Sequence, residues 1–190
     1  MELATNRLKL RQWQASDLEP FAALNADPLV MEYFPRTITR AESDDMVERL
    51  RAAIAADGYG LWAVELTGSG EFIGFVGLQE VRFDAAFTPA AELGWRLAVR
   101  FWGQGYATEA AQAAVRFGFD TLGLAELVSF TTRTNQRSQA VMRRLGMTRD
   151  PADDFIRDGI EGPLRHHVLY RLAAPTTANP SAANPRNGPA

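Results

Sequence analysis

A short glycine-containing segment, Trp102-Gly103-Gln104-Gly105-Tyr106-Ala107-Thr108-Glu109-Ala110, constrains this chain more than any other part of the sequence. It joins an apolar, strand-like run over residues 93–99 to an alanine-rich run that is typical of a helix. Glycines at a strand-to-helix turn let backbone amides approach a bound anion closely, and the N-terminus of the helix favours negative charge. We therefore predict that this turn binds a pyrophosphate group.

The turn does not match two common phosphate-binding motifs. A nucleotide-hydrolysing P-loop requires a lysine after its glycines, and no lysine follows here. A dinucleotide-binding fingerprint requires a third glycine where this chain has Thr108, and no acidic residue is evident at the expected place on a second strand. The alternative to an anion site is an ordinary tight turn.

The same segment resembles the acetyl-CoA motif of the GNAT N-acyltransferase superfamily, Q/R-x-x-G-x-G/A. Gly105 and Ala107 match its last two positions, whereas Trp102 departs from its first. Tryptophan there resembles one branch, the ribosomal-protein-alanine acetyltransferases of the RimJ/RimL type and their small-amine relatives. Residues 135–147 match a second motif of that branch, N-x-x-S…L-G-M. Together with shorter similarities elsewhere, the resemblance covers residues 5–172.

The resemblance implies an α/β fold of the GNAT type, with a mixed, mainly antiparallel sheet of about seven strands and helices on both faces. It implies one acetyltransferase domain over residues 1–172. The composition agrees, because a chain of 190 residues with 46% hydrophobic side chains can bury one sizeable core. Residues 173–190 are rich in Pro, Ala, Asn, Thr and Ser without apolar periodicity, so we predict a disordered tail.

Periodicity predicts alternating strands and helices along the chain. The predicted strands span residues 8–13, 61–66, 72–81, 92–99, 127–132 and 168–172. Capping boxes at Ser16–Glu19 and Thr39–Glu42 predict the starts of two helices. Two further helices are predicted from Gly105 to Leu122 and from Asn135 to Leu145.

Composition argues against several other kinds of site and partner. The net charge is −3 without a lysine- or arginine-rich block, so we expect no nucleic-acid partner. The chain has no cysteine, which excludes disulfides, thiolate metal sites and an acyl-cysteine intermediate. Adjacent His166 and His167 would point to opposite faces of a strand, so no metal is predicted. Without an apolar signal segment or membrane-length apolar run, we expect a cytoplasmic protein with no membrane partner.

Two residues are candidates for the chemistry of acetyl transfer to an amine. Glu92 is the preferred general base, because an apolar strand would raise the pKa of its carboxyl. The alternative is a glutamate at the edge of the sheet paired with an arginine such as Arg96. By resemblance, Ser138 would donate a hydrogen bond to the departing sulfur. Asn135, one helical turn earlier, would contact the pantetheine arm, cap the helix, or do both.

The resemblance also implies where acetyl-CoA is held. The strand before the turn would splay from its neighbour and free backbone amides for the pantetheine and the thioester; the alternative is an ordinary stretch of sheet. The predicted cofactor-binding residues are Leu97, Ala98, Val99, Trp102, Gly103, Gln104, Gly105, Tyr106, Ala107, Thr108, Asn135 and Ser138. Arg143 and Arg144 are candidates for the adenosine 3′-phosphate, and Tyr33, Phe34, Trp62 and Trp95 for the acceptor pocket.

We predict direct transfer of the acetyl group to a primary amine, since the chain lacks cysteine and a Ser-His-Asp arrangement that would suggest a covalent carrier. A protein N-terminus and a small molecule stay open as acceptors. A strongly acidic groove would favour a polycation, and a long open groove would favour a peptide. A non-catalytic acyl-CoA-binding sensor or interaction module is the alternative function. Homodimers are common in the resembled branch, and these residues do not demonstrate one.

Overall fold

The structure is a computed structural model that describes residues 1–175. Within this range, eight strands form one sheet in the order β1-β2-β3-β4-β5-β6-β8-β7. Neighbouring strands are antiparallel except for the parallel pair β5–β6. The strands are β1 (Leu3–Ala4), β2 (Leu8–Arg11), β3 (Leu61–Leu66), β4 (Phe72–Glu80), β5 (Ala91–Leu97), β6 (Glu126–Thr132), β7 (Phe155–Ile156) and β8 (His166–Ala173). The predicted mixed, mainly antiparallel sheet is confirmed.

Four α-helices accompany the sheet in the described part of the chain: α1 (Leu18–Ala26), α2 (Arg40–Asp57), α3 (Tyr106–Arg116) and α4 (Gln136–Arg144). A π-helical turn, Phe117–Thr121, continues α3, so the helix predicted to reach Leu122 is divided between the two. None of the helices within residues 1–175 combines the length and the apolar composition that a bilayer crossing requires.

The helices pack on both faces of the sheet. Val76 pairs with Trp62 across β3 and β4, so the adjacent residue Phe75 points to the face opposite Trp62. The ring of Phe21 in α1 lies 6.0 Å from the ring of Phe75. The ring of Phe117, directly after α3, lies 5.4 Å from the ring of Trp62. Since α1 and the end of α3 contact opposite faces, the predicted layering is confirmed.

Local signals predicted one helix start correctly and misplaced another. The Thr39–Glu42 capping box is present and α2 follows it. The predicted Ser16–Glu19 box is wrong, because the box is formed by Gln14 and Asp17 and precedes a 3₁₀ turn. The buried Asp17 carboxylate accepts from the Gln14 amide at 2.8 Å and from the Arg11 guanidinium at 2.7 Å. A contact with β2 therefore decides where this helix begins.

Strand ends differ from prediction at both termini of the chain. The first predicted strand, residues 8–13, is shorter than expected and ends at Arg11. The last strand, β8, continues through Ala173, one residue into the predicted tail. Residues 176–190 of that tail lie outside the described part of the chain.

Candidate active site

The parallel strands β5 and β6 separate soon after they meet. Within residues 1–175 their ladder consists of one pair, Glu92 with Val128, whereas β5 stays paired with β4 as far as Leu97. The Ala98 amide donates to the carbonyl of Ile73 in β4 at 3.0 Å. Because successive amides of a strand point to opposite edges, those of Trp95 and Leu97 face the gap toward β6. The cleft between the two strands therefore contains backbone donors.

The glycine turn presents a run of backbone donors. Within the described residues, none of the amides of residues 103–108 donates to a protein acceptor, and the first helical bond runs from the Glu109 amide to the Gly105 carbonyl at 3.0 Å. Among residues 1–175, no side chain caps α3. Gly103 and Gly105 have φ values of 74° and 82°, which favour glycine. Unpaired amides at the start of an eleven-residue helix suit a bound diphosphate.

An arginine from the connection between β1 and β2 contacts this turn. Arg7 Nη1 donates to the Gln104 carbonyl at 3.1 Å, and its guanidinium lies 4.6 Å from the centre of the Tyr106 ring. Arg7 also pairs with Glu109 at 2.6 Å. Sequence reasoning missed this residue, because it lies about one hundred positions from the motif and carries no local signal.

A cavity of about 1270 Å³ connects the turn with the cleft. The predicted site residues that line it are Glu92, Leu97, Trp102, Gly103, Gly105, Tyr106, Ala107, Thr108, Asn135 and Ser138. Three predicted residues do not line it. The Ala98 amide donates to the Ile73 carbonyl in β4, and Val99 begins a 3₁₀ turn. The Gln104 side chain donates to the Arg100 carbonyl at 2.9 Å.

Glu92 lies at the point where the cavity meets the cleft. Its Oε2 accepts from Gln79 Nε2 at 2.8 Å, across the β4–β5 ladder. Burial raises the pKa of the Glu92 carboxyl, and the hydrogen bond from Gln79 and the charge of Arg157 oppose this rise. The alternative of an ion pair with Arg96 is wrong, since Arg96 donates to Asn25 instead. Gln79 is a further partner that the sequence did not indicate.

Asn135 caps α4 and also holds Ser138. Asn135 Oδ1 accepts from the Ser138 amide at 3.1 Å, as a helix cap does. Its Nδ2 donates to Ser138 Oγ at 3.1 Å and to Thr131 Oγ1 at 3.0 Å. Because Ser138 Oγ accepts from Asn135, its own proton is free to point elsewhere. Both side chains line the cavity.

The candidates for the acceptor pocket separate into two groups. Tyr33, Phe34 and Trp95 line the cavity. Trp62 is fully buried against Phe117, so it belongs to the core and its prediction as a pocket wall is wrong. Trp95 comes from β5, and Tyr33 and Phe34 come from the loop after α1. Trp62 in β3 is instead covered by Phe117, directly after α3.

Some of the arginine and histidine side chains near the cavity line it, and others do not. Arg144 lines it, whereas Arg143 points to the Tyr170 hydroxyl at 3.2 Å. Arg137, which the sequence did not single out, lies 4.6 Å from the Trp102 ring centre. His167 lines the cavity, and burial lowers the pKa of its imidazole. Within residues 1–175 no cluster of three or more acidic or histidine side chains could hold a metal ion.

Comparison with known proteins decides the family. The family model for the acetyltransferase (GNAT) domain matches residues 7–148, which is most of the chain. The chain belongs to the GNAT acetyltransferase family. It is therefore an acetyl-CoA-dependent acyltransferase, and the predicted family, fold and acetyl-CoA substrate are confirmed.

Three proteins that are similar to this GNAT chain carry different names. It is 37% identical over 153 residues to the FsC-acetyl coenzyme A-N(2)-transacetylase of Aspergillus fumigatus, covering 77% of this chain and 64% of that protein. It is 30% identical to an acetyltransferase of known structure from Agrobacterium tumefaciens, with a TM-score of 0.73 and coverage of 90% and 94% of the two chains. The spermidine N-acetyltransferase of Vibrio cholerae, solved with CoA and spermine, shares the fold at 19% identity, with a TM-score of 0.69 and coverage of 89% and 96%.

The residues of this GNAT chain fit acetyl-CoA. The unpaired amides of residues 103–108 suit the diphosphate, and the free amides of β5 suit the amide groups of pantetheine, which pair as a strand would. Bound acetyl-CoA would supply an activated acetyl thioester, and the protein's own residues would supply orientation and proton transfer.

Proposed function

We propose that this protein transfers the acetyl group of acetyl-CoA directly to a primary amine, with Glu92 as general base and Ser138 as hydrogen-bond donor to the departing sulfur. The observation that carries the proposal is the Glu92 carboxyl, whose pKa is raised by burial at the junction of the cavity and the β5–β6 cleft. The matched motifs and the family membership support the same reaction.

Glu92 accepts the proton that the attacking amine must lose, directly or through a water molecule. A carboxyl whose pKa is raised accepts a proton more readily near neutral pH than an exposed glutamate does. An α-amino group, with a pKa near 8, is deprotonated more easily than a lysine side chain near 10.4. This base is therefore better matched to an α-amino group or another weakly basic primary amine.

Backbone donors of β5 stabilise the charge that develops on the thioester oxygen. We assign this role to the amides of Trp95 and Leu97, since the Ala98 amide donates to the Ile73 carbonyl in β4. One well-placed donor to such an oxyanion lowers the barrier by about 3 kcal/mol. The thiolate that leaves needs no strong acid, since a thiol has a pKa near 8.5, and the Ser138 hydroxyl suffices as its donor.

The surroundings of Glu92 favour some acceptors over others. A polycationic acceptor would require a strongly acidic groove, but arginines outnumber acidic side chains around the cavity. The charged residues that line it are Arg49, Asp57, Glu80, Arg82, Glu92, Arg96, Arg137, Arg144 and Arg157. We therefore favour a neutral or anionic amine over a polyamine. Membership of the RimJ/RimL-type branch stays a prediction.

The test of this function is thiol release from acetyl-CoA in the presence of a panel of amines and peptides. We expect Glu92→Gln to lower kcat by about 10²- to 10⁴-fold, the usual contribution of general base catalysis, with the affinity for CoA nearly unchanged. Glu80→Gln, which removes an exposed carboxylate beside the same cavity, is the matched control. An unchanged rate in Glu92→Gln would remove Glu92 from the mechanism, and CoA binding without turnover of any amine would favour the sensor hypothesis.

A further inference from the structure

Arg96 is a half-buried cation that has no carboxylate partner within residues 1–175. Its Nη1 donates to the neutral Asn25 Oδ1 at 2.6 Å, and its guanidinium carbon lies 4.2 Å from the centre of the Phe34 ring. The Phe75 ring lies 5.4 Å away on another side. Nε is buried and has no hydrogen-bond acceptor among the described residues. Part of the hydrogen-bonding capacity of this guanidinium is thus unused.

Such an arrangement is costly, and the same fold shows how an arginine is buried without that cost. Burial lowers the pKa of Arg96 to about 10 because no anion offsets the loss of solvent. Arg11, which is fully buried, pairs with Asp17 at 2.7 Å and with Glu65. A buried guanidinium is normally paired, so the unpaired one needs a reason.

Arg96 and Glu92 lie on the same face of β5, on either side of a gap. Residues 92, 94 and 96 share one face, and Gly94 stands between the two charged side chains. Its partner across the ladder is Gly77, so this step of the sheet contributes no side chain on that face. A Cβ at Gly94 would lie 3.9 Å from Glu92 Oε1 and 3.6 Å from Leu61 Cδ2, so a methyl group would fit there.

We propose that Arg96 binds a carboxylate of the acceptor, so that the acceptor is an amine that also carries an anionic group. This inference rests on the proposed function, since it requires the reacting amine at Glu92. Both residues line the same cavity, and the N–H groups at the edge of the guanidinium are the donors that a carboxylate recognises best. Phe34 would cover the bound carboxylate, because its ring already lies against the guanidinium.

The spacing along β5 limits how close the amine and the carboxylate can be. Residues four positions apart on a strand have Cα atoms about 13 Å apart. The arginine whose charge acts on the Glu92 carboxyl is Arg157 and not Arg96. The carboxylate therefore lies several bonds from the reacting nitrogen, as in an ω-amino acid or in a peptide whose N-terminus is followed by an acidic side chain. A free α-amino acid is too short.

The test compares matched acceptors in the thiol-release assay. ω-Amino carboxylates of increasing length and peptides with an acidic second residue are each paired with the corresponding neutral amide. We expect kcat/KM of wild type to favour the carboxylate at the right length by about ten- to one-hundred-fold, the range for hydrogen bonds to a charged group. The peptide and small-molecule arms show which source of the carboxylate is used.

Two variants assign that preference to Arg96. In Arg96→Gln we expect kcat/KM for the carboxylate acceptor to fall to that of its amide. Arg96→Lys is expected to keep part of the preference. Arg157→Gln, a second arginine that lines the cavity, is the matched control and is expected to keep it. No preference in wild type, or a preference that survives Arg96→Gln or disappears in Arg157→Gln, would overturn the inference. Absence of thiol release with every amine would instead overturn the proposed function.

Discussion

The side chain of Asn135 combines a structural role with a position in the site. Its oxygen caps α4 while its amide nitrogen holds Ser138 Oγ. The cap was predictable from the sequence, because asparagine before a helical run is a local signal. The contact with Thr131 was not, since it depends on how β6 meets the helix.

Ser138→Ala should lower kcat modestly. Loss of one hydroxyl donor to a good leaving group is worth about 0.5–1.5 kcal/mol, so we expect about a three- to ten-fold decrease in kcat. Stability should hardly change, since the cap uses the backbone amide of Ser138. Single-turnover kinetics and chemical denaturation measure the two effects. Full activity in this variant would remove Ser138 from the mechanism.

The raised pKa of Glu92 predicts a specific dependence on pH. Activity should fall as the pH is lowered through the pKa of this carboxyl, because the base becomes protonated. Stability should change in the opposite sense. The unfolded state releases this proton more readily than the folded state, so the Glu92 contribution to stability falls as pH rises above about 4.3. We expect the stability of Glu92→Gln relative to wild type to increase with pH, as measured by urea unfolding at several pH values; a constant difference would contradict the raised pKa.

The turn before α3 was the easiest element to predict from the sequence, but the residue that contacts it from elsewhere in the chain could not be predicted. Its glycines and the helix after it are local signals, and the unpaired amides follow from them. Arg7, which supports the turn, comes from another part of the sheet. The start of α1 was misplaced for a more local reason, because the Asp17 carboxylate accepts from both the Gln14 amide and the Arg11 guanidinium.

Gly105→Ala should weaken CoA binding by straining the turn. An alanine forced to a φ of 82° costs about 1–2 kcal/mol, and its Cβ would lie 3.5 Å from Arg7 Nη2. Relaxation of that strain would move the amides away from the diphosphate. Gly70→Ala is the matched control, because its φ is 69° and it lies in the β3–β4 turn. We expect both variants to lose similar stability in thermal denaturation but only Gly105→Ala to lose CoA affinity; equal affinities would show that the turn does not hold the coenzyme.

At the scale of the whole molecule, one sheet supplies both halves of the site. The mixed, mainly antiparallel sheet and the helices on both faces followed from hydrophobic periodicity and family resemblance, whereas the order of the strands within the sheet was not predicted. The divergence of β5 from β6 decides which amides are free. Of the predicted donors Leu97, Ala98 and Val99 we retain Leu97, and we add Trp95. A single sequence does not show where two strands separate, because strand pairing depends on contacts between distant segments.

Binding of CoA should stabilise the folded protein as a unit. At a ligand concentration about one hundred times Kd, the expected gain is about 2.7 kcal/mol, which raises Tm by roughly 5–11 °C for a chain of this size. Differential scanning calorimetry with and without CoA measures the shift. A Tm that does not move at saturating CoA would contradict the site described for this fold.

We assign the backbone amides of residues 103–108 to the diphosphate of coenzyme A, and a calorimetric titration can test this assignment. Coenzyme A and pantetheine share the thiol-bearing arm, but pantetheine lacks the diphosphate that these amides would bind. We predict that coenzyme A binds at least about one hundred-fold more tightly than pantetheine. Equal affinities for the two compounds would show that these amides do not hold the diphosphate.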